Sequence, residues 1–229
     1  MSGVQVPFPD SLPRVSDEII ACTACPRLVA WREQVATDKR AAFRHEHYWG
    51  RPIPGFGDPA ARLLVAGLAP AAHGGNRTGR VFTGDRSGDW LFAALWRAGY
   101  ANQPTSVHAG DGLALRGCYV TAAVRCAPPA NKPTTDERDR CLPYLARELD
   151  LLADVAAIVA LGQFAYQALC RLLLVRPVPR FGHLVELAVP GRRVTIVCSF
   201  HPSQQNTFTG RLTEPMFDAV FARARALGG

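Results

Sequence analysis

Short, almost wholly apolar runs alternate along this chain with stretches patterned as helices, and that alternation decides the fold class. Residues 62–67 (RLLVAG), 117–124, 155–161 and 193–199 are too short for buried helices, so they read as strands covered on both faces. Between and after them lie helical stretches at 87–100 (Ser87 as cap, Gly99 near the end), 134–153, 163–174 and 214–227. Thr134 or Thr135 caps the second of these, and Pro143 is expected to bend or interrupt it. Residues 184–189 read as a short extra strand, and 16–36 as mainly helical with a break at Pro26. Strand–helix alternation implies an α/β protein with a mostly parallel sheet and helices on both faces.

Ligands of open α/β sheets bind beyond the carboxyl ends of the strands. Three loops leave such ends here, at 68–85, 125–134 and 200–213, and they carry the least bland sequence in the chain. Topology and composition therefore agree on where a site belongs.

The 229 residues suffice for one sizeable core, and one domain is expected over two. No apolar run reaches the roughly 18 residues that span a bilayer. Residues 1–14 lack a basic segment followed by an apolar stretch, so no secretory leader is read there. A soluble, cytoplasmic protein without membrane partners is expected. Its formal net charge is +7, and of 26 basic residues only Lys39 and Lys132 are lysines. Arginine binds phosphate through a planar fork, so this charge permits a nucleic-acid partner. GC-rich codon usage yields the same composition, so charge alone does not establish one.

Seven cysteines argue against a disulfide framework in such a protein. Cys22 and Cys25 form a C-x2-C pair, and Cys126 and Cys141 lie 15 residues apart near the second loop. Four thiolates suit one metal or cluster, whereas the wide second spacing does not suit a zinc ribbon. Unliganded cysteines or a lone redox pair remain the alternatives. Cys118, Cys170 and Cys198 sit within apolar runs and read as inert core residues.

The loops identify a family. GLAPAAHGGNRTGRVFTGD (67–85) and HPSQQNTFTGRLT (201–213) strongly resemble the two signature motifs of family 5, or B-type, uracil-DNA glycosylases, and VRCAPPANKPT (124–134) resembles that family's middle segment. The cysteine spacing is similar to the iron–sulfur site shared by families 4 and 5. The resemblance runs from Cys22 to the C-terminus. It implies one three-layer α/β/α domain over residues 1–229, built on a four-stranded mostly parallel sheet. It also implies a 4Fe–4S cluster on Cys22, Cys25, Cys126 and Cys141 that ties on the 16–36 segment.

The implied activity is monofunctional excision of uracil, and of hypoxanthine and other damaged bases, from double-stranded DNA after base flipping, leaving an abasic site. One subunit suffices per lesion, so a monomer is expected. Phe82 is expected to stack on the base, with N–H groups near Gly67 and Ala69 on its carbonyls. His201 is expected to donate to the base oxygen that gains charge, and Asp85 to act near the sugar. Asn131 and Asn206 match the family's asparagines and are expected at the base, the sugar or a water. Phe208 or a neighbour in 204–211 is expected to wedge the duplex, Arg211 to hold phosphate or the estranged base, and Arg77, Arg80 and Arg125 to touch phosphates. Leu68, Ala69, Pro70, Ala71 and Ala72 offer no side chain to activate water, so a dissociative path is expected. Ala122 stands where family 4 has a base-reading asparagine, which implies relaxed base discrimination. The rival readings are an iron–sulfur protein that binds uracil-containing DNA without cutting it, and a redox or zinc protein.

Overall fold

The computed structural model describes residues 9–228; the first eight residues of the stretch read as free of a leader, and Gly229, lie outside the described residues. Its centre is one six-stranded sheet in the order β1-β3-β2-β4-β6-β5. The four inner strands, β2 (Leu63–Gly67), β3 (Cys118–Ala122), β4 (Ala157–Leu161) and β6 (Thr195–Ser199), are parallel and coincide with the four apolar runs. Two short antiparallel edges extend the expected four-stranded core. β5 (Glu186–Ala188) falls within the anticipated extra strand, and β1 (Phe56–Gly57) carried too little pattern to be read.

Alternation along each inner strand separates two apolar layers. Val65, Val120, Val159 and Val197 face α4 (Arg86–Arg97) and α8 (Glu214–Gly228) through Leu91, Phe92, Phe217 and Phe221. Leu64, Tyr119, Ile158 and Ile196 face α5 (Thr135–Leu151) and α6 (Gln163–Leu172) through Leu145, Leu149, Tyr166 and Leu169. The three-layer α/β/α arrangement follows directly. Cys118, Cys170 and Cys198 are buried in these layers, as their apolar context predicts.

Thr134, one of the two anticipated caps, starts α5 with a reciprocal box: its hydroxyl accepts from Glu137 N–H, and the Glu137 carboxylate accepts from Thr134 N–H. Pro143 does not interrupt this helix. A proline costs one intrahelical bond and a steric adjustment, and the buried neighbours Leu142 and Leu145 hold the helix through it. At the front, Pro26 starts a helix and does not break one. It is the first residue of α2 (Pro26–Asp38), where its missing N–H is harmless. The break lies between α1 (Leu12–Ile20) and α2 and contains both cysteines of the C-x2-C pair. No helix of the described residues is long and apolar enough to cross a membrane.

Candidate active site

Gly67 ends β2, and the Phe82 ring occupies the space a side chain there would need. A Cβ on Gly67 would meet Phe82 Cζ at 2.5 Å. Phe82 is itself buried and adopts φ +53°, a conformation that costs a bulky residue of order 1 kcal/mol or more. Its carbonyl packs on Gly88, where a Cβ would collide with it. The ring is therefore fixed from both sides, at the carboxyl edge of the sheet.

His201 arrives at the same edge from β6. Its ring centroid is 6.1 Å from that of Phe82, with 32° between the planes. Burial pushes its imidazole down to about 4, so it is neutral at pH 7. Gly162 at φ +90° follows β4 and packs on His201, leaving 3.3 Å between a would-be Cβ and His201 Cβ. Asn206, in the short helix α7 (Gln204–Phe208), donates Nδ2–H to the His201 carbonyl at 2.9 Å. That amide fixes the backbone carrying His201.

Asp85 caps α4, its Oδ1 accepting from Gly88 N–H at 3.0 Å. The cap is present, and the carboxylate also lies against Gly74 of the first motif, where any Cβ would strike it. Desolvation pushes its carboxyl above the usual range even though the Gly88 and Ser87 N–H groups pull it down. On loop 68–74 the Gly67 and Leu68 carbonyls accept from Ala123 and Val124 N–H, at 2.9 and 3.0 Å. The N–H groups of Ala69, Ala71 and Ala72 have no acceptor among the described residues. Ala122 is buried at the end of β3, beside Gly67 in the sheet register.

Asn131 is exposed in a turn where Ala130 and Asn131 both take left-handed backbone, at φ +52° and +55°, and its side chain makes no hydrogen bond among the described residues.

Three arginine expectations are corrected. Arg77, Arg80 and Arg125 are all under a tenth exposed, so none is available to a phosphate. Arg77 pairs with Glu46 and donates to the His73 and Gly84 carbonyls at 2.8 and 3.0 Å, binding the two halves of the first motif together. Arg80 donates from Nη2 to both Asp111 carboxylate oxygens, at 2.8 Å each. Burial alone would raise that carboxyl, but Arg80 and the N–H groups of Leu113 and Val107 hold it down to about 2. Arg125 pairs with the fully buried Glu148 beneath β3. A buried charge must be compensated locally, so a motif arginine near a site edge is committed inward when an acid lies within reach. Phe208 and Arg211 remain available: Phe208 is 68% exposed, with Arg86 stacked on its ring at 4.7 Å, and Arg211 lies over Phe200 at 4.6 Å.

One segment went unread in the sequence. Residues 40–53 clasp the first motif: Glu46 on Arg77, Phe43 on the Arg77 guanidinium at 4.0 Å, the Trp49 and Gly50 N–H groups on the Arg77 and Asn76 carbonyls. Tyr48, almost fully buried, meets His73 Nδ1 at 3.0 Å. The crowding of aromatic, histidine and arginine side chains in RAAFRHEHYWGR was the available signal.

Cys22, Cys25, Cys126 and Cys141 line one pocket, together with Leu28, Val124, Arg32 and Tyr144. Arg32 Nη1 lies 3.0 Å from Cys126 Sγ, and the Arg125 N–H donates to Cys141 Sγ at 3.3 Å. Arg32 Nε is buried without a partner. Among the described residues, no three Cys, His, Asp or Glu side chains are grouped so as to hold a metal ion. Ala69 packs against Cys25 and Cys126 through Leu28 and Val124, so this pocket adjoins the loop bearing the free N–H groups.

The profile of the uracil DNA glycosylase superfamily matches residues 54–225. The chain is 56% identical to the type-5 uracil-DNA glycosylase of Mycobacterium tuberculosis, over 92% of this chain and 80% of that protein. It is 54% identical to the type-5 enzyme of Mycobacterium leprae, over 96% of both chains. To the Thermus thermophilus type-5 enzyme it is 52% identical, over 92% of this chain and 95% of that one.

Proposed function

The chain belongs to the uracil DNA glycosylase superfamily, in its type-5 branch, and from that premise we propose that it removes uracil from double-stranded DNA by hydrolysing the N-glycosidic bond. The observation that carries the reading is the rigid Phe82 ring laid on Gly67, with a neutral His201 beside it at the carboxyl edge of the sheet.

A base paired within the duplex is out of reach, so the nucleotide must be extruded. Phe82 then offers an immobile face for stacking, and the free N–H groups of Ala69, Ala71 and Ala72 are donors for the base carbonyls. As the glycosidic bond breaks, its electron pair leaves with the base. His201 is already neutral, so it donates an N–H to the developing oxyanion without prior proton loss. Asp85 supplies a desolvated negative charge for the sugar cation. With no acid or amide side chain at 68–72, base departure precedes water addition. The small Ala122 leaves the base edge unread, which supports acceptance of hypoxanthine and other damaged bases. The exposed Phe208 suits the wedge, and Arg211 a phosphate or the estranged base.

The four-cysteine pocket fits a 4Fe–4S cluster. Its four thiols line one pocket, and a donor set of four thiolates is the chemistry such a cluster takes. The orphaned Arg32 Nε is a donor for a sulfur. Such a cluster would hold the turn before α2 against the loop after β3; no redox step is required of it.

The test is base release from a duplex with one uracil opposite guanine. Strand breaks that appear only after alkali are expected. Intact strands from protein that binds the duplex, with hypoxanthine as with uracil, would leave a binding protein.

A further inference from the structure

The mechanism above makes no use of His73, which keeps one ring nitrogen without a partner among the described residues. His73 sits on the loop leaving β2, directly after the free N–H groups of Ala71 and Ala72, and directly before Gly74, which touches the Asp85 carboxylate. Its Nδ1 is occupied by Tyr48 Oη at 3.0 Å, and its carbonyl by Arg77. Nε2 has no partner among the described residues, and the ring is part exposed. The Arg40 N–H donates to Tyr48 Oη at 3.4 Å, and His73 Nδ1 is the acceptor beside that buried hydroxyl among the described residues, so we assign the hydroxyl hydrogen to Nδ1. A neutral ring accepting at Nδ1 carries its hydrogen on Nε2. Burial, with help from the Arg40 and Arg77 charges, pushes the imidazole below its ordinary value, which keeps it in that form.

Resting on the excision reading, we propose that His73, oriented by Tyr48, donates Nε2–H to one backbone phosphate of the strand carrying the excised base. Two features of this rim favour an anion. His73 Nε2 has no acceptor among the described residues, while Tyr48 holds the ring at Nδ1. The exposed Arg40 is close enough to act on the ring electrostatically. Tyr48 comes from the 40–53 clasp, which precedes the residues matched by the superfamily profile. The residue that orients His73 therefore precedes the matched frame, while His73 itself lies within it. His73 is a binding residue in this scheme, and Tyr48 a positioning residue.

A phosphate scan tests it. Duplexes carrying one uracil are made with a single uncharged methylphosphonate at each position near the lesion, and equilibrium binding and single-turnover release are measured. A hydrogen bond to a charged group is worth enough for about a tenfold loss of affinity. The wild-type protein should lose about that at one position, and His73→Ala about that on the unmodified duplex. His73→Ala should lose nothing further at the sensitive position. Tyr48→Phe should weaken binding a few-fold, and His73→Gln, whose amide reaches the Nε2 location, should recover most of it. If His73→Ala binds normally, or stays sensitive to the same phosphate, the proposal is overturned. Wild-type protein that binds but releases no uracil would overturn the excision reading instead, and the binding scan would still decide the role of His73.

Discussion

Phe82 gains its rigidity from what its neighbours lack. Gly67 and Gly88 have no side chain where its ring and its carbonyl lie, so Gly67→Ala must push the ring aside. We expect that change to lower single-turnover uracil release by at least about tenfold while the melting temperature moves little, because the displaced ring is at the edge of the core. Asp85 exchanges stability for function. Its folded-state carboxyl is raised, so its ionisation opposes folding: the cost grows as pH rises through the raised value and is complete above it. Asparagine caps a helix as well as aspartate does. Asp85→Asn is therefore expected to raise the melting temperature at pH 7 and to slow base release. It should also remove the acidic limb of the wild-type rate profile, a limb set above the usual carboxylate range. His201 contributes no limb near neutrality, since its imidazole stays neutral until about pH 4. An NMR titration in which His201 protonated near 6.5 would contradict this.

At the scale of elements, the inner strands and the long helices were legible because each carries many buried residues of one period. β2, β3 and β4 are buried at every position, and that density overrides local detail. β1, with two half-buried residues, and the four-residue helix α3 (Gly75–Thr78) have no period to read. The motif loops were legible as loops and misread in charge. Sequence gives an arginine's position but not the distant acid that claims it, and Asp111 and Glu148 come from other elements. The start of α5 makes a quantitative case. Thr134→Ala should cost about 1 kcal/mol through the cap alone. Glu137→Ala should cost more, since the same carboxylate also takes Arg27 of α2 at 2.7–2.8 Å. Urea denaturation of both variants ranks them, and the opposite order would mean that the Arg27 pair contributes nothing.

For the whole molecule, net charge overstates what DNA can feel. Arg32, Arg77, Arg80 and Arg125 are buried, and the last three donate hydrogen bonds to carboxylates. Arg80→Gln should therefore lower stability by a few kcal/mol, leaving an uncompensated buried acid, and should leave the salt dependence of DNA binding unchanged for the folded fraction. Replacing Cys126 with serine should bleach a brown preparation and lower the melting temperature, because the turn before α2 loses its tie to β3. Brown colour retained at full intensity would exclude Cys126 as a ligand.

That pocket also sets an order of events during synthesis. Cys22 and Cys25 precede α5 in the chain, whereas Cys141 and Tyr144 lie on it, and the Arg27–Glu137 pair joins the two segments across 110 residues. Until α5 has emerged, the first two thiols have no enclosure. If the pocket holds the proposed cluster, iron and sulfide can be housed only once the ribosome has passed α5, and a chain stalled before it would carry two unenclosed thiols.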